Sequence, residues 1–210
     1  MLRKPLFFVL TGPSGAGKST IIKHLVETMP DLGCPVSHTS RAPRATETDG
    51  VEYFFRSPEE MNRMQTQGAF LESSTTNDGT MYGLSKFEIR RMRKYQSAVL
   101  DLDVAGGRAL KDALGDAVTL VMVTPEYGDE LVTRLKKRGT ESTEAINQRL
   151  ARAVDELSAS GDYDYLIINR SEDEAVAQLR AIIQAEHLSL KRQKNEEVIW
   201  AVMEDLQGEI

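Results

Sequence analysis

Cysteine is almost absent from the chain: Cys34 stands alone among 210 residues. It cannot close an intramolecular disulfide or build a cysteine-based zinc cluster, so a reducing, cytoplasmic compartment is expected. The three histidines, His24, His38 and His187, are far apart and share no metal-ligand spacing. Basic residues are in the minority, 26 Lys plus Arg against 32 Asp plus Glu, for a net charge of −6. That balance argues against a chain that coats nucleic acid or an anionic membrane, while leaving room for a local basic site. Long apolar runs are missing too. Leu6–Leu10 follows Arg3-Lys4 as in a secretory signal, but such signals need about 7–15 apolar residues, and Gly12-Pro13-Ser14 ends this run. Nothing elsewhere approaches the roughly 20 apolar residues of a membrane span. With 40% hydrophobic and 28% charged residues, the composition is that of an ordinary globular chain.

What is present is a rhythm. Four short apolar runs, Leu6–Leu10, Ala98–Leu102, Val118–Val123 and Tyr165–Ile168, are continuous rather than alternating. Such runs suit strands covered on both faces in a parallel sheet. Ser19–Met29 carries Ile22, Leu25 and Val26 at helical spacing, and Asp173–Leu190 does the same with Val176, Leu179, Ile182 and Ile183. Strands alternating with helices predict an open α/β sheet with right-handed crossovers. Two stretches break the rhythm. One runs from residue 36 to 95, with strand-like pieces at Val36–Ser40 and Val51–Phe55 punctuated by glycines. The other, 126–158, is charged, helical in pattern and interrupted at Gly139. Both are expected to be inserts on a core made of 1–35, 96–125 and 159–190, and 191–210 reads as an amphipathic tail helix.

Gly12-Pro13-Ser14-Gly15-Ala16-Gly17-Lys18-Ser19 fits G-x-x-x-x-G-K-[ST] at every fixed position, between the first strand and the first helix. Glycines let backbone N–H groups turn inward around phosphate oxygens, and the helix N-terminus adds its positive end. Lys18 supplies a cation for the β- and γ-phosphates, and the Ser19 hydroxyl is a hard ligand for Mg²⁺. The loop with Thr20 is therefore expected to bind a nucleoside triphosphate. Asp101 and Asp103 close a predicted strand two residues apart, which points both carboxylates to one side near its C-terminal edge. They read either as an acidic turn or as one acid near magnesium and one near substrate. Ser37–Arg44 carries Arg41 and Arg44 three apart in a proline-stiffened segment, a pair of guanidinium forks suited to phosphate. Composition alone equally allows a solvated loop followed by core aromatics. Arg90–Lys94 reads as a solvated helix face.

Taken together, the phosphate loop, Ser37–Arg44, Gly50 with Tyr53-Phe54-Phe55, Phe70-Leu71-Glu72, Tyr82-Gly83 and Leu100–Asp103 resemble guanylate kinase. The likeness continues through Arg134-Leu135 with Arg138-Gly139, Ile146–Leu150 and Tyr163–Asn169, covering the chain to about residue 190. The resemblance implies a P-loop NTPase-type parallel sheet flanked by helices, a small mixed-strand insert for a nucleoside monophosphate, and a helical lid. It implies Mg²⁺-dependent phosphoryl transfer from ATP to GMP or dGMP. By that likeness Arg41, Arg44, Tyr53 and Tyr82 hold the acceptor phosphate, and Ser37, Glu72 and Asp103 read guanine. Arg134, Arg138 and Arg149 are lid arginines acting with Lys18 in catalysis. Asn169 lies near the donor adenine, and Asp101 positions the metal with Ser19, directly or through water. The chemistry of the base supports the reader: guanine presents N1–H and N2–H₂ side by side to a carboxylate, whereas adenine presents an acceptor at N1.

The chain departs from the family pattern in four places. The loop after Glu72 is one residue longer, with Met81 where the family has a first tyrosine. Leu84 stands at a hydroxyl position, Ala105 where glutamine is common, and Arg170 where aspartate is usual. Two other readings compete: a kinase for a phosphorylated sugar, such as a ribose bisphosphate phosphokinase, and a non-catalytic guanylate-kinase-like interaction module. The guanine-reading residues speak against the first, and the intact loop against the second. Neither a nucleic acid nor a membrane is expected as partner, and a homo-oligomer is left open.

Overall fold

The structure is a computed structural model that describes residues 5–76, 78–137, 143–189, 192 and 202–207. In chain order its strands and α-helices are β1 (Leu6–Thr11), α1 (Lys18–Thr28), β2 (Leu32–Gly33), β3 (His38–Thr39), β4 (Phe54–Phe55), α2 (Pro58–Thr66), β5 (Phe70–Thr75) and β6 (Met81–Ser85). They continue as α3 (Lys86–Arg91), β7 (Ser97–Asp101), α4 (Val104–Leu114), β8 (Val118–Thr124), α5 (Gly128–Lys137), α6 (Thr143–Ser158), β9 (Tyr165–Ile168) and α7 (Glu172–Leu188).

Five strands form one sheet in the order β2-β7-β1-β8-β9, and every neighbouring pair is parallel. β1 lies at its centre and is buried along its whole length, which is why its run is apolar without alternation. Its alternate residues feed two cores. Phe8 and Leu10 join Ile21 and Leu25 of α1 and Val176, Leu179 and Ile183 of α7 on one face. Phe7 and Val9 meet Leu110 of α4, with Leu100 and Leu120, on the other. The result is a three-layer α/β sandwich.

The second sheet, β4-β3-β6-β5, is mixed: β3 pairs parallel with β4 and antiparallel with β6, which also pairs antiparallel with β5. It sits between α1 and β7 in the chain, within the region the sequence marks as an insert. Glu88, which is buried, accepts from Val36 N at 2.9 Å and from Arg91 Nη2 at 2.7 Å, and Arg91 Nη2 also donates to Cys34 O at 3.3 Å at the entry to this region. α2 carries a complete start signal, with Ser57 and Glu60 in a reciprocal capping box and Pro58 just inside.

The four apolar runs become β1, β7, β8 and β9, and the two helices expected from spacing become α1 and α7. Two extents differ. Val36–Ser40 yields only His38–Thr39, and Val51–Phe55 yields only Phe54–Phe55. In the latter, Gly50 at φ 80° lies inside a turn that starts at Thr48 and that Val51 closes by donating to Thr48 O. The tail helix is described only at 202–207, where the chain is helical; the rest of that expectation, like Arg138 and Gly139, lies outside the described residues.

Candidate active site

The phosphate loop turns where β1 ends. Gly12 and Gly17 have φ of 123° and 95°, conformations that L side chains rarely adopt. Space excludes a side chain as well: a Cβ on Gly12 would overlap the Val123 carbonyl, and one on Gly17 would overlap Asn169 Nδ2. Gly17 is also the N-cap of α1 and offers no side-chain acceptor. The first amides of α1 are therefore left to an anion. Behind the loop, Asn169 donates from Nδ2 to Ala16 O at 2.7 Å and is only 7% exposed.

Lys18 folds along its own loop, donating to Gly12 O at 2.5 Å, and lies 3.6 Å from Asp101. Ser19 Oγ donates to Asp101 Oδ2 at 3.3 Å. Asp101 lines a cleft with its side chain 39% exposed. Loss of surrounding water raises its pKa above the usual carboxylate value, and Lys18 and Ser19 oppose that rise.

A cleft opens on each side of this loop. The first, of about 350 Å³, is lined by Gly15, Gly17, Thr20, Arg134, Asn169 and Arg170 among others. The second, of about 490 Å³, runs from Gly12, Ser14 and Lys18 past Asp101 to Ser37, Tyr53, Tyr82, Glu72 and Asp103. Both volumes fall in the ligand-site range of about 300–1,000 Å³. Both open at the C-terminal ends of the parallel strands, where such sheets bind ligands.

At the far end of the second cleft, Glu72 of β5 faces Asp103, the N-cap of α4, which accepts from Gly106 N at 2.7 Å. Gly106 lets the two acids close in, since a Cβ there would press on both. Burial and the neighbouring Asp103 push the Glu72 pKa up to about 7. Between this end and Lys18 lie Tyr53 and Tyr82, edge to face at 5.9 Å. Burial pushes the Tyr53 hydroxyl up to about 12.

Arg41 is not among the residues lining either cleft. Its guanidinium lies 5.6 Å from the Tyr53 ring centre and 5.7 Å from that of Phe55. Glu47 grips it bidentately and also accepts from Arg44 N at 2.7 Å, with Arg44 Nη1 3.6 Å away. The Arg41 hydrogen bonds hold the Glu47 carboxyl below the usual range. The described hydrogen bonds of the Arg41 guanidinium go to Glu47, to Ala42 O and to the Tyr82 side chain. From α5 and α6, Arg134 Nη1 donates to Gly15 O at 3.2 Å, and Arg149 Nη1 to Ser14 Oγ at 2.9 Å.

The structure thus brings the phosphate loop, Ser37, Tyr53, Glu72, Tyr82, Asp101, Asp103, Arg134 and Asn169 to two adjoining clefts, with Arg149 bonded to the loop at Ser14 and Arg41 and Arg44 outside the lining of both. Asn169 both lines the first cleft and buttresses the loop. Arg170 shares that cleft and is paired with Glu126 at 3.0 Å. Leu84 is fully buried in the cluster that holds Phe7, Val9 and Met92 and is not among the residues lining the second cleft.

Sequence reasoning missed Glu47 and the Ser74–Thr76 stripe that extends the cleft wall beyond Glu72. It also missed Arg152 and Glu156 on α6. The acid three residues after Arg44 was a charge-pairing signal for Glu47. The spacing of Arg149, Arg152 and Glu156, at i, i+3 and i+7, places all three on one helix face.

The family model described as guanylate kinase matches residues 3–186 of this chain. The guanylate kinase of Caldanaerobacter subterraneus subsp. tengcongensis is 41% identical over 194 residues, covering 92% of this chain and 93% of that protein. The guanylate kinase of Salmonella typhi is 40% identical over 190 residues, covering 89% and 91%. The crystal structure of guanylate kinase from Anaplasma phagocytophilum superposes with a TM-score of 0.75 at 26% identity, covering 93% of this chain and 94% of that one.

Proposed function

The chain belongs to the guanylate kinase family, and from that footing we propose that it transfers the γ-phosphoryl group of ATP to GMP or dGMP, giving ADP and GDP or dGDP. The observation that carries this reading is one phosphate loop with a cleft on either side, the second ending in the paired acids Glu72 and Asp103. ATP lies with its adenine toward Asn169 and its phosphates on the loop amides and Lys18. GMP lies across the second cleft.

Ionised Glu72 accepts from guanine N1–H and N2–H₂, with Asp103 and Ser37 beside it. Adenine would set its unprotonated N1 against that carboxylate, and such an unmatched buried charge gives discrimination of about 10⁴-fold or more. The acceptor phosphate is held by Tyr53, Tyr82, Arg44 and Arg41. Its oxygen attacks the γ-phosphorus in line; the new P–O bond forms as the bond to ADP breaks. Lys18, Arg134, Arg138 and Arg149 neutralise the charge spread over the transferring group, and positioning with electrostatics supplies most of the rate. The arginines of 126–158 exclude water that would otherwise take the phosphoryl group.

The residues present fit a magnesium ion that arrives with the nucleotide: Ser19 Oγ and Asp101 Oδ2 are adjacent hard oxygens beside the loop. Among the described residues, no group of three or more His, Cys, Asp or Glu is arranged to hold an ion unaided. When bound, Mg²⁺ offsets negative charge on the donor phosphates. The cytoplasm suits the single thiol, which burial pushes up to about 11, leaving it protonated and inert.

A coupled assay of ADP release tests the reading, with ATP and GMP, AMP, UMP or a ribose phosphate as acceptor. GMP is expected to lead by orders of magnitude. Preference for the sugar phosphate would overturn the acceptor assignment, and no turnover with any acceptor would favour a binding module.

A further inference from the structure

Glu156 of α6 lines the acceptor cleft, one helical turn after Arg152. The phosphoryl transfer described above gives it no task. Its Oε2 is shut off from solvent and has no hydrogen-bond partner among the described residues. A buried carboxylate oxygen in that state is an unmet demand for a donor.

The charges around Glu156 narrow what the donor can be. Lys18 and Arg152 face it as cations, and Asp103 and Asp101 as acids. On the functional reading proposed above, on which this inference rests, Lys18 marks the phosphate end of the acceptor and Asp103 the base end. The group that lies between those ends in a nucleoside monophosphate is the ribose. Phosphate oxygens would be repelled by a carboxylate, and the guanine N–H donors are met by Glu72 and Asp103. The ribose brings two adjacent hydroxyl donors, which match the two oxygens of one carboxylate.

We propose that Glu156 accepts hydrogen bonds from the 2′- and 3′-hydroxyls of the acceptor ribose, so that α6 makes this enzyme prefer GMP to dGMP. Removing the 2′-hydroxyl then strands one carboxylate oxygen again, and sites built to bind a hydroxyl reject the analogue lacking it.

The experiment compares kcat and KM for GMP and dGMP at saturating ATP and Mg²⁺ in the wild-type chain, Glu156→Gln and Glu156→Ala. The wild type is expected to favour GMP over dGMP by about tenfold or more in kcat/KM, chiefly through KM. In Glu156→Ala the ratio should fall to within about twofold of unity, with Glu156→Gln between. A ratio unchanged in both variants would overturn the proposal. So would equal losses for GMP and dGMP, the outcome expected if Glu156 served only the lid's structure or a metal-bound water. Should Glu156→Ala fail to fold, 3′-deoxy-GMP with the wild type keeps the question open to refutation: equal kcat/KM for GMP, dGMP and 3′-deoxy-GMP would also overturn it. An intact lead of GMP over AMP alongside any of these results leaves the guanylate kinase reading standing, so the two failures are distinguishable.

Discussion

Glu47 grips Arg41 with both carboxylate oxygens, Oε2 accepting from Nη1 and Oε1 from Nη2, each at 2.9 Å. The same carboxylate takes the Arg44 amide at 2.7 Å, so one acid sets the position of both arginines assigned to the acceptor phosphate. Bidentate pairs fix direction as well as distance. Glu47→Ala should therefore raise the KM for GMP about tenfold or more while changing the KM for ATP less than about twofold. Steady-state kinetics with each substrate varied in turn decides it. Equal losses for the two substrates would mean that Glu47 supports the fold rather than the acceptor site.

Glu72 should impose a pH dependence on acceptor use. With its pKa raised to about 7 by burial and Asp103, it is protonated below neutrality and cannot accept from both guanine donors. The value of kcat/KM for GMP should fall as pH drops below about 7 in the wild type. The second phosphate ionisation of GMP, near pH 6, adds its own limb. Glu72→Gln should keep only that limb. A wild-type profile with no ionisation near 7 would count against the raised carboxylate.

The same shift has a consequence for stability. Glu72 binds its proton more tightly folded than unfolded, where its pKa is 4.5. Its contribution is fully present below pH 4.5 and is lost as pH rises through about 7. Glu72→Gln should thus unfold at higher denaturant concentration than wild type at pH 8, by about 1–3 kcal/mol, and the gap should close by pH 4.5. Urea titrations at the two pH values test this; a gap that widens toward acid would reverse the sign.

Gly17 and Asn169 should fail separately. Gly17→Ala places a Cβ on Asn169 Nδ2 at a φ of 95° and should abolish detectable ATP binding by calorimetry. Asn169→Ala removes the hydrogen bond to Ala16 O and a side chain of the first cleft, and should raise the KM for ATP about tenfold. Normal ATP affinity in Gly17→Ala would show that the loop tolerates a different backbone.

The core was legible because its signals are local. A five-residue apolar run can be a buried parallel strand, and the phosphate loop is contiguous, so Leu6–Ser19 could be placed from spacing alone. The small sheet was less so. β3 and β4 are two residues each and gain their pairing from elsewhere in the chain, β3 from β6 and β4 from β3, so their extents depend on those partners rather than on their own composition. Glu47, Ser74 and Glu156 carry no motif; folding alone carries Glu47 to Arg41 and Arg44, and Ser74 and Glu156 to the second cleft. Asn169 shows the opposite case, a position the family resemblance placed near adenine whose hydrogen bond to the loop only geometry reveals.

Discrimination between GMP and AMP in wild type and Glu72→Gln, measured as the ratio of kcat/KM values at pH 8, bears most directly on whether the second cleft recognises a guanine edge. The wild-type ratio should be about 10⁴ or greater and should shrink by about a hundredfold in the variant, with the KM for ATP unmoved. An identical ratio in the two proteins would remove Glu72 from base recognition and leave the second cleft without its reader.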